Sequence, residues 1–448
     1  MQRLTRFGGG APLNREQVPG IGSDNAVRTA AWHVIPLLAV GYIVSYIDRA
    51  NVGFAALTMN RDLGLSATQF GFAAGTFYFG YCLFEVPSNL ALRRFGARRW
   101  LARIMISWGL AAAATSLAVG PVSFSACRFL TGACEAGFYP GVMFYLSTWF
   151  PIDVRARVFA WFNVANPMSS VISGPVSAVL LKMHGIGGLA GWRWLLLCEG
   201  LPACALGLYT LYALPDRPRD ARWLTDEQKD ALEKRLSEES HPGAAHLVWA
   251  ALRDPRVLIL TFSYFCLIVG VLGVTLWLPQ MLRQRGLSTT AIGFTSAFPY
   301  LVASIGMIVW SFHIDRSRAY LGNYVTACVV AAGGFALSVA VDSLPIMIIG
   351  ISLALVGMNS CRPAIFSLLP RFLQGAAAAA GMAFVNSVGN LGGFFGPYMI
   401  GWLKDTTGSF TAGLYGLAGM LTLAALSAPL IRLVRRDPSP LVRSNPSN

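Results

Sequence analysis

The chain has 448 residues, of which 55% are hydrophobic and only 12% charged, and it carries a net charge of +14. A soluble domain of this length holds about 25% charged residues to keep its surface wet, so a soluble globular protein is excluded. The basic excess does not describe a nucleic-acid surface either. Lys and Arg are spread between apolar blocks, where they fix the orientation of membrane helices.

The first 30 residues are polar and basic, and no small-residue cleavage site follows the first apolar stretch. They read as a tail, not a removable signal. Apolar blocks then recur, each long enough to cross a bilayer of about 30 Å as a helix. Six spans are predicted over 31–55, 68–92, 100–119, 122–150, 157–181 and 192–214. A polar stretch, 215–255, interrupts them; within it 226–239 mixes helix formers with both charges and predicts a solvated helix in a linker. Six more spans follow over 256–282, 291–312, 324–341, 344–369, 376–403 and 411–434, then a tail over 435–448. The predicted fold is an all-α membrane protein with twelve transmembrane helices in two six-helix bundles, 31–214 and 256–434.

With the N-terminus inside, 26 of the 35 Lys and Arg fall in the tails and even-numbered loops and 6 in the odd-numbered loops. That asymmetry predicts that both termini and the linker are cytoplasmic. Basic turns recur at equivalent places, Arg93-Arg94 after the second span and Arg316-Ser317-Arg318 after the eighth. Paired halves of this kind mark a transporter built from repeats. The eight cysteines lie in or beside apolar blocks, without a CxxC pair or nearby His, and read as reduced, buried thiols with neither disulfide nor metal role.

An ionisable side chain inside a span costs about 2.5–3.5 kcal/mol on the insertion scale, so each one calls for a reason. Asp48, Arg49, Glu85, Arg128, Glu135, Glu199 and Arg362 are such residues. Arg128 and Glu135 are seven apart, on one face of the fourth helix and about 10.5 Å apart along it. Asp48 and Arg49 are neighbours on the first. If those helices face each other, two guanidinium groups and two carboxylates converge. A guanidinium fork suits a carboxylate ligand, and a carboxylate in a low-dielectric site can take up and release protons. The set describes an organic-anion site beside a proton switch. Tyr46 and Tyr81, with Asn386 and Asn390 on one face of the eleventh helix, are further candidates for the cavity lining. Glu85 and Glu199 precede Pro87 and Pro202 and read as structural. Arg362, immediately before Pro363, either donates to carbonyls freed by the proline or faces the cavity and binds a second carboxylate.

Several runs together resemble the anion:cation symporter family of the major facilitator superfamily. They are Tyr46-Ile-Asp48-Arg49-Ala-Asn51-Val-Gly53-Phe in the first span, and Arg128-Phe-Leu-Thr-Gly132-Ala-Cys-Glu135-Ala-Gly137-Phe-Tyr-Pro140-Gly141 in the fourth. Gly191-Trp192-Arg193-Trp194 with Glu199-Gly200-Leu-Pro202, Trp277-Leu-Pro279-Gln280 and Asn386-Ser-Val-Gly-Asn390 complete the likeness. Within the family the chain is similar to bacterial tartrate-type and phthalate-type permeases. The resemblance implies twelve helices, alternating access and proton-driven uptake of a small organic anion; a monomer without cofactor, in the bacterial inner membrane, is expected. It implies protonation at Asp48 and Glu135, substrate coordination by Arg49 and Arg128, and a cavity lined by Tyr46 and Tyr81. The chain departs from the superfamily pattern after the second span, with Asn89 and Arg93 in place of Gly and Asp.

The function expected from the residues and the resemblance is proton-coupled symport of a hydroxy-dicarboxylate or an aromatic carboxylate. An exchanger or an uncoupled facilitator of the same fold is the near rival. An enzyme is not expected, since no nucleophile–base pair or metal cluster stands out. A channel is not expected either, since the intramembrane charges crowd into one half instead of forming a ring.

Overall fold

The computed structural model describes residues 21–238, 253–373 and 375–434. The predicted C-terminal tail, most of the N-terminal tail and part of the linker lie outside the described residues. The first half holds α1 (Ile21–Asp62), α2 (Ala67–Phe95), α3 (Ala97–Ala114), α4 (Pro121–Glu135), α5 (Phe138–Trp149), α6 (Ile152–Asn163), α7 (Ala165–Leu181) and α8 (Gly191–Ala213). After α9 (Asp226–Ser237) come α10 (Pro255–Gln284), α11 (Thr289–Ser317), α12 (Tyr320–Ala340), α13 (Leu344–Leu368), α14 (Gly375–Asn390), α15 (Gly392–Thr407) and α16 (Thr411–Ser427). All twelve predicted spans are helical, and among the described residues nine stretches are long and apolar enough to cross a membrane.

Three spans differ from the prediction by being broken. The fourth divides after Glu135, because Gly137 takes a φ of +86°. Only glycine adopts that conformation readily, and an added Cβ would also strike the Ser88 hydroxyl. The fifth divides at Val164, where Pro167 lacks the N–H that would continue the hydrogen-bond ladder. The eleventh divides at Leu391, amid Gly389, Gly392 and Gly393, residues that weaken a helix interior.

The linker helix is docked, which corrects the solvated reading. Thr225 and Gln228 form a capping box, and acidic residues open α9 while basic ones close it, complementing the helix dipole. One face then buries Leu232 completely against the first bundle. Arg235 pairs with Asp24 of α1 at 3.3 Å and with Asp153 of α6 at 2.5 Å, and Trp223 stacks on His33.

The first bundle (α1–α8) and the second (α10–α16) meet unevenly. At the end remote from the linker, α1 packs on α10, α2 on α15, and α7 on α11. Gly174 lies so close to the Gly293 carbonyl that a Cβ there would collide with it. Asp405 of α15 accepts from the Thr68 amide at 2.7 Å at the start of α2. The buried apolar residues record the same asymmetry. Remote-end residues of the first bundle, such as Phe54, Phe70 and Trp192, share one core with the whole second bundle. Those nearer the linker, such as Leu38, Trp108 and Trp149, form a separate core. The molecule is closed at the remote end.

Candidate functional site

The charged residues singled out in the sequence meet between α1 and α4, as two crossed pairs. Glu135 is the last residue of α4, and its Oε1 accepts from Arg49 Nε at 2.9 Å, Arg49 Nη2 at 2.5 Å and Ser45 Oγ at 2.5 Å. Arg128, two turns earlier, brings Nη1 to 4.0 Å from Asp48 Oδ2 without a hydrogen bond. Asp48, Arg128 and Glu135 are each at most 2% exposed. An isolated charge at such a depth is strongly penalised, and pairing is what makes it tolerable.

Aromatic rings complete the surroundings. The Arg49 guanidinium carbon is 5.0 Å from the Tyr81 ring centroid, 5.1 Å from that of Phe77 and 5.2 Å from that of Tyr46. Arg128 lies 4.8 Å from the same Phe77 ring. Both cations therefore contact one aromatic ring, which favours a desolvated guanidinium electrostatically and leaves its N–H groups for other acceptors.

The pairing is incomplete. Both oxygens of Asp48, Oε2 of Glu135, and Nε and Nη1 of Arg128 make no hydrogen bond within the described residues. Buried polar atoms are ordinarily satisfied, and exceptions call for a ligand, a water or a functional reason.

Arg362 of α13 stands apart from this cluster. Its polar neighbours are Tyr264, Tyr46, Tyr42 and Tyr139. Three of these belong to the first bundle, so Arg362 faces across the interface. Among the described residues it has no carboxylate partner, and its buried Nε makes no hydrogen bond. The tyrosines are themselves locked together. Tyr42 stacks on Tyr139 at 5.3 Å and on Phe162 at 4.7 Å, with Tyr46 edge-on at 4.9 Å.

Asn386 and Asn390 lie half-buried on α14, and among the described residues neither hydrogen-bonds to the charge cluster. Their neighbour Ser387 crosses to the other bundle instead, donating to Glu85 Oε2 at 2.6 Å. Sequence reasoning passed over Ser45, Phe77, Tyr139 and Tyr264. Ser45 and Phe77 carry no charge to flag them in an apolar run, although Tyr139 lies inside the motif of the fourth span.

The family model of the Major Facilitator Superfamily matches residues 38–397. A protein of Agrobacterium vitis named "Putative tartrate transporter" is 46% identical over 402 residues, covering 89% of this chain and 90% of its own. A "Quinolone resistance transporter" of Acinetobacter baumannii is 40% identical over 402 residues, covering 88% and 92%. The crystal structure of a D-xylose-proton symporter superposes with a TM-score of 0.71 at 16% identity, over 89% of this chain and 97% of the other. At that identity the superposition speaks for the fold alone. With twelve spans in two bundles, a family match over most of its length and transporters as its relatives, the chain belongs to the Major Facilitator Superfamily.

Proposed function

We propose that this transporter is a proton-coupled symporter importing a small organic anion, with tartrate-like hydroxy-dicarboxylates as the first candidates and aromatic carboxylates as the second. The observation that carries the reading is the crossed pairing of Arg49 with Glu135 and Arg128 with Asp48. Each arginine is held by a carboxylate of the protein, and a substrate carboxylate competes for the same donors. Protonating Glu135 removes its claim on Arg49 and frees two N–H groups for the substrate. Deprotonating it again restores the internal pair and expels the anion. The proton and the anion thus exchange places at one guanidinium, which links their movements without a separate coupling device. Asp48 and Arg128 repeat the arrangement one step away.

Arg362 supports the anionic substrate independently. Among the described residues it has no carboxylate partner, so an anion bridging from Arg49 or Arg128 to Arg362 would join the bundles. Tyr46 and Tyr81 are proposed to flank that path, and Asn386 and Asn390 to line it from the second bundle. The chain is proposed to work as a monomer in the bacterial inner membrane, with both termini cytoplasmic. The A. vitis relative's printed name favours tartrate as the first substrate to try.

Reconstitution into proteoliposomes tests the reading. An inwardly directed proton gradient should drive tartrate above its equilibrium distribution, and a protonophore should abolish the excess. Equilibration without accumulation would make the protein a facilitator, and uptake only against internal anion would make it an exchanger.

A further inference from the structure

The crossed pairs leave two intramembrane acids unused: Glu85, which accepts from Ser387 across the interface, and Glu199 of α8. Glu199 is 5% exposed, its Oε1 lies 3.5 Å from the Ser177 hydroxyl of α7, and its Oε2 makes no hydrogen bond. Toward the site the buried polar atoms continue. Asn51 is fully buried, and neither its amide nitrogen nor its amide oxygen has a hydrogen-bond partner. Asp48 lies three residues earlier on α1, hence on nearly the same face, and it too is fully buried without a hydrogen bond. Ser173, one turn from Ser177, repeats the pattern at 2% exposure. Helix α1 packs against both α7 and α8, so Glu199, Asn51 and Asp48 lie within the first bundle, whereas Ser173 lines a pocket shared with α10 and α11.

Their depths follow from one cross-link. Trp192 Nε1 donates to Asp62 Oδ2 at 2.9 Å, which sets the start of α8 beside the end of α1. At about 1.5 Å per residue, Glu199 lies roughly 10 Å below that level, Asn51 roughly 16 Å and Asp48 roughly 21 Å. The three form a descending series from the remote end to the crossed pairs.

Asp48 is the charged neighbour of Glu199 among the described residues. Helix α7 offers Glu199 serines, and the part of α3 facing neighbouring Gly200 is Gly109 and Ala113. On its own helix, Arg193 is engaged with the carbonyls of Ser116 and Ala118, and Cys198 and Cys204 are free cysteines.

We infer that Glu199 is the outer station of a proton path that reaches Asp48 through the interior of the first bundle, with Asn51 holding a relaying water. The inference rests on the proton-coupled reading of the site. A water at Asn51 can donate to the amide oxygen and accept from the amide nitrogen, which is what two orphaned groups of opposite polarity require. The proton leaves Glu199 Oε2 for a short file of waters that includes the one at Asn51, each water passing on one of its own protons, and the last gives one to an Asp48 oxygen. One proton enters at Glu199 and one arrives at Asp48, with no other bond changed. Neutral Asp48 then releases Arg128 for the anion. This route stays available while the remote end is closed, because it does not cross the interface.

The test is tartrate transport by the full chain in proteoliposomes, comparing the parent with Glu199→Gln and Asn51→Leu. Proton-driven initial uptake should fall about tenfold or more in each variant, a change of about 1.4 kcal/mol in barrier. Tartrate–tartrate exchange, which moves no net proton, should stay within about twofold of the parent. The pH profile of driven uptake should also shift in Glu199→Gln. If the variants accumulate tartrate as the parent does, the relay is overturned while proton coupling stands. Equal losses of driven uptake and exchange would make Glu199 structural and overturn the relay too. A parent protein that shows no proton-driven uptake would overturn the coupling reading itself.

Discussion

Arg49 gives two donors, Nε and Nη2, to the same oxygen of Glu135, and the other oxygen, Oε2, is buried with no hydrogen bond. This is not the parallel fork-on-fork geometry that fixes an arginine–carboxylate pair most firmly. Ser45 also donates to that single oxygen, so one side of the carboxylate is crowded and the other empty. A pair satisfied on one side only is well suited to being exchanged, and the first prediction follows from it.

Glu135→Gln keeps an acceptor oxygen for Arg49 and Ser45 but cannot change its charge. Proton-driven accumulation should fall at least about tenfold, whereas tartrate exchange persists, because the variant mimics the protonated acid. Transport assays under a pH gradient and under equilibrium exchange separate the two quantities. Undiminished accumulation would remove Glu135 from the coupling step.

Arg128→Lys keeps the charge facing Asp48 but removes the planar fork and its stacking on Phe77. Tartrate affinity should weaken by about tenfold, or about 1.4 kcal/mol, by calorimetry or competition. Unchanged affinity would mean that a point charge suffices at this position.

Arg362→Gln addresses the number of anionic groups in the substrate. Tartrate and threonate differ in that one carboxylate of tartrate is a hydroxymethyl in threonate. If Arg362 binds the second carboxylate, the variant should weaken tartrate by about tenfold more than threonate. Equal losses would reduce Arg362 to a structural role among its tyrosines.

Gly174→Val places a branched side chain against the Gly293 carbonyl and the Ser296 hydroxyl. Overpacking of this kind costs about 1–3 kcal/mol, and here the cost falls on the closed remote end alone. The variant should populate the form open at that end. Thiol labelling of cysteines introduced along α10 near Gln280 should accelerate relative to the parent, and no change would show that the contact can yield without opening.

Orientation is checked separately. A cysteine replacing Glu233 on α9 should react with a membrane-impermeant reagent only in inverted vesicles or permeabilised cells. Labelling in intact cells would reverse the assigned topology.

The sequence was most legible where a physical penalty singles out a residue. Asp48, Arg49, Arg128 and Glu135 are charges in apolar runs, and helical spacing alone places Arg128 and Glu135 on one face. Which acid meets which arginine was not legible. Arg49 reaches Glu135 and not its neighbour Asp48 because α4 ends at Glu135, and that ending depends on the conformation of Gly137. Most span limits were located to within about five residues, but α16 ends at Ser427, short of the predicted 434, and α1 runs past the predicted 31–55 at both ends, from Ile21 to Asp62. The N-terminal extension is held by Arg235 of the linker helix, a contact between residues 211 positions apart. Phe77 was invisible for the opposite reason, as one phenylalanine in a run of aromatic residues whose role comes only from the two arginines that its ring contacts.

The uneven core has a thermal consequence. Opening the remote end parts apolar surfaces around Phe54, Phe70 and Trp277 that belong to one continuous core, whereas opening at the linker end leaves the separate core of the first bundle intact. Exposing apolar surface to water raises heat capacity. The two half-cycles therefore differ in curvature with temperature. The step that exposes the remote side should have the more strongly bent Arrhenius plot.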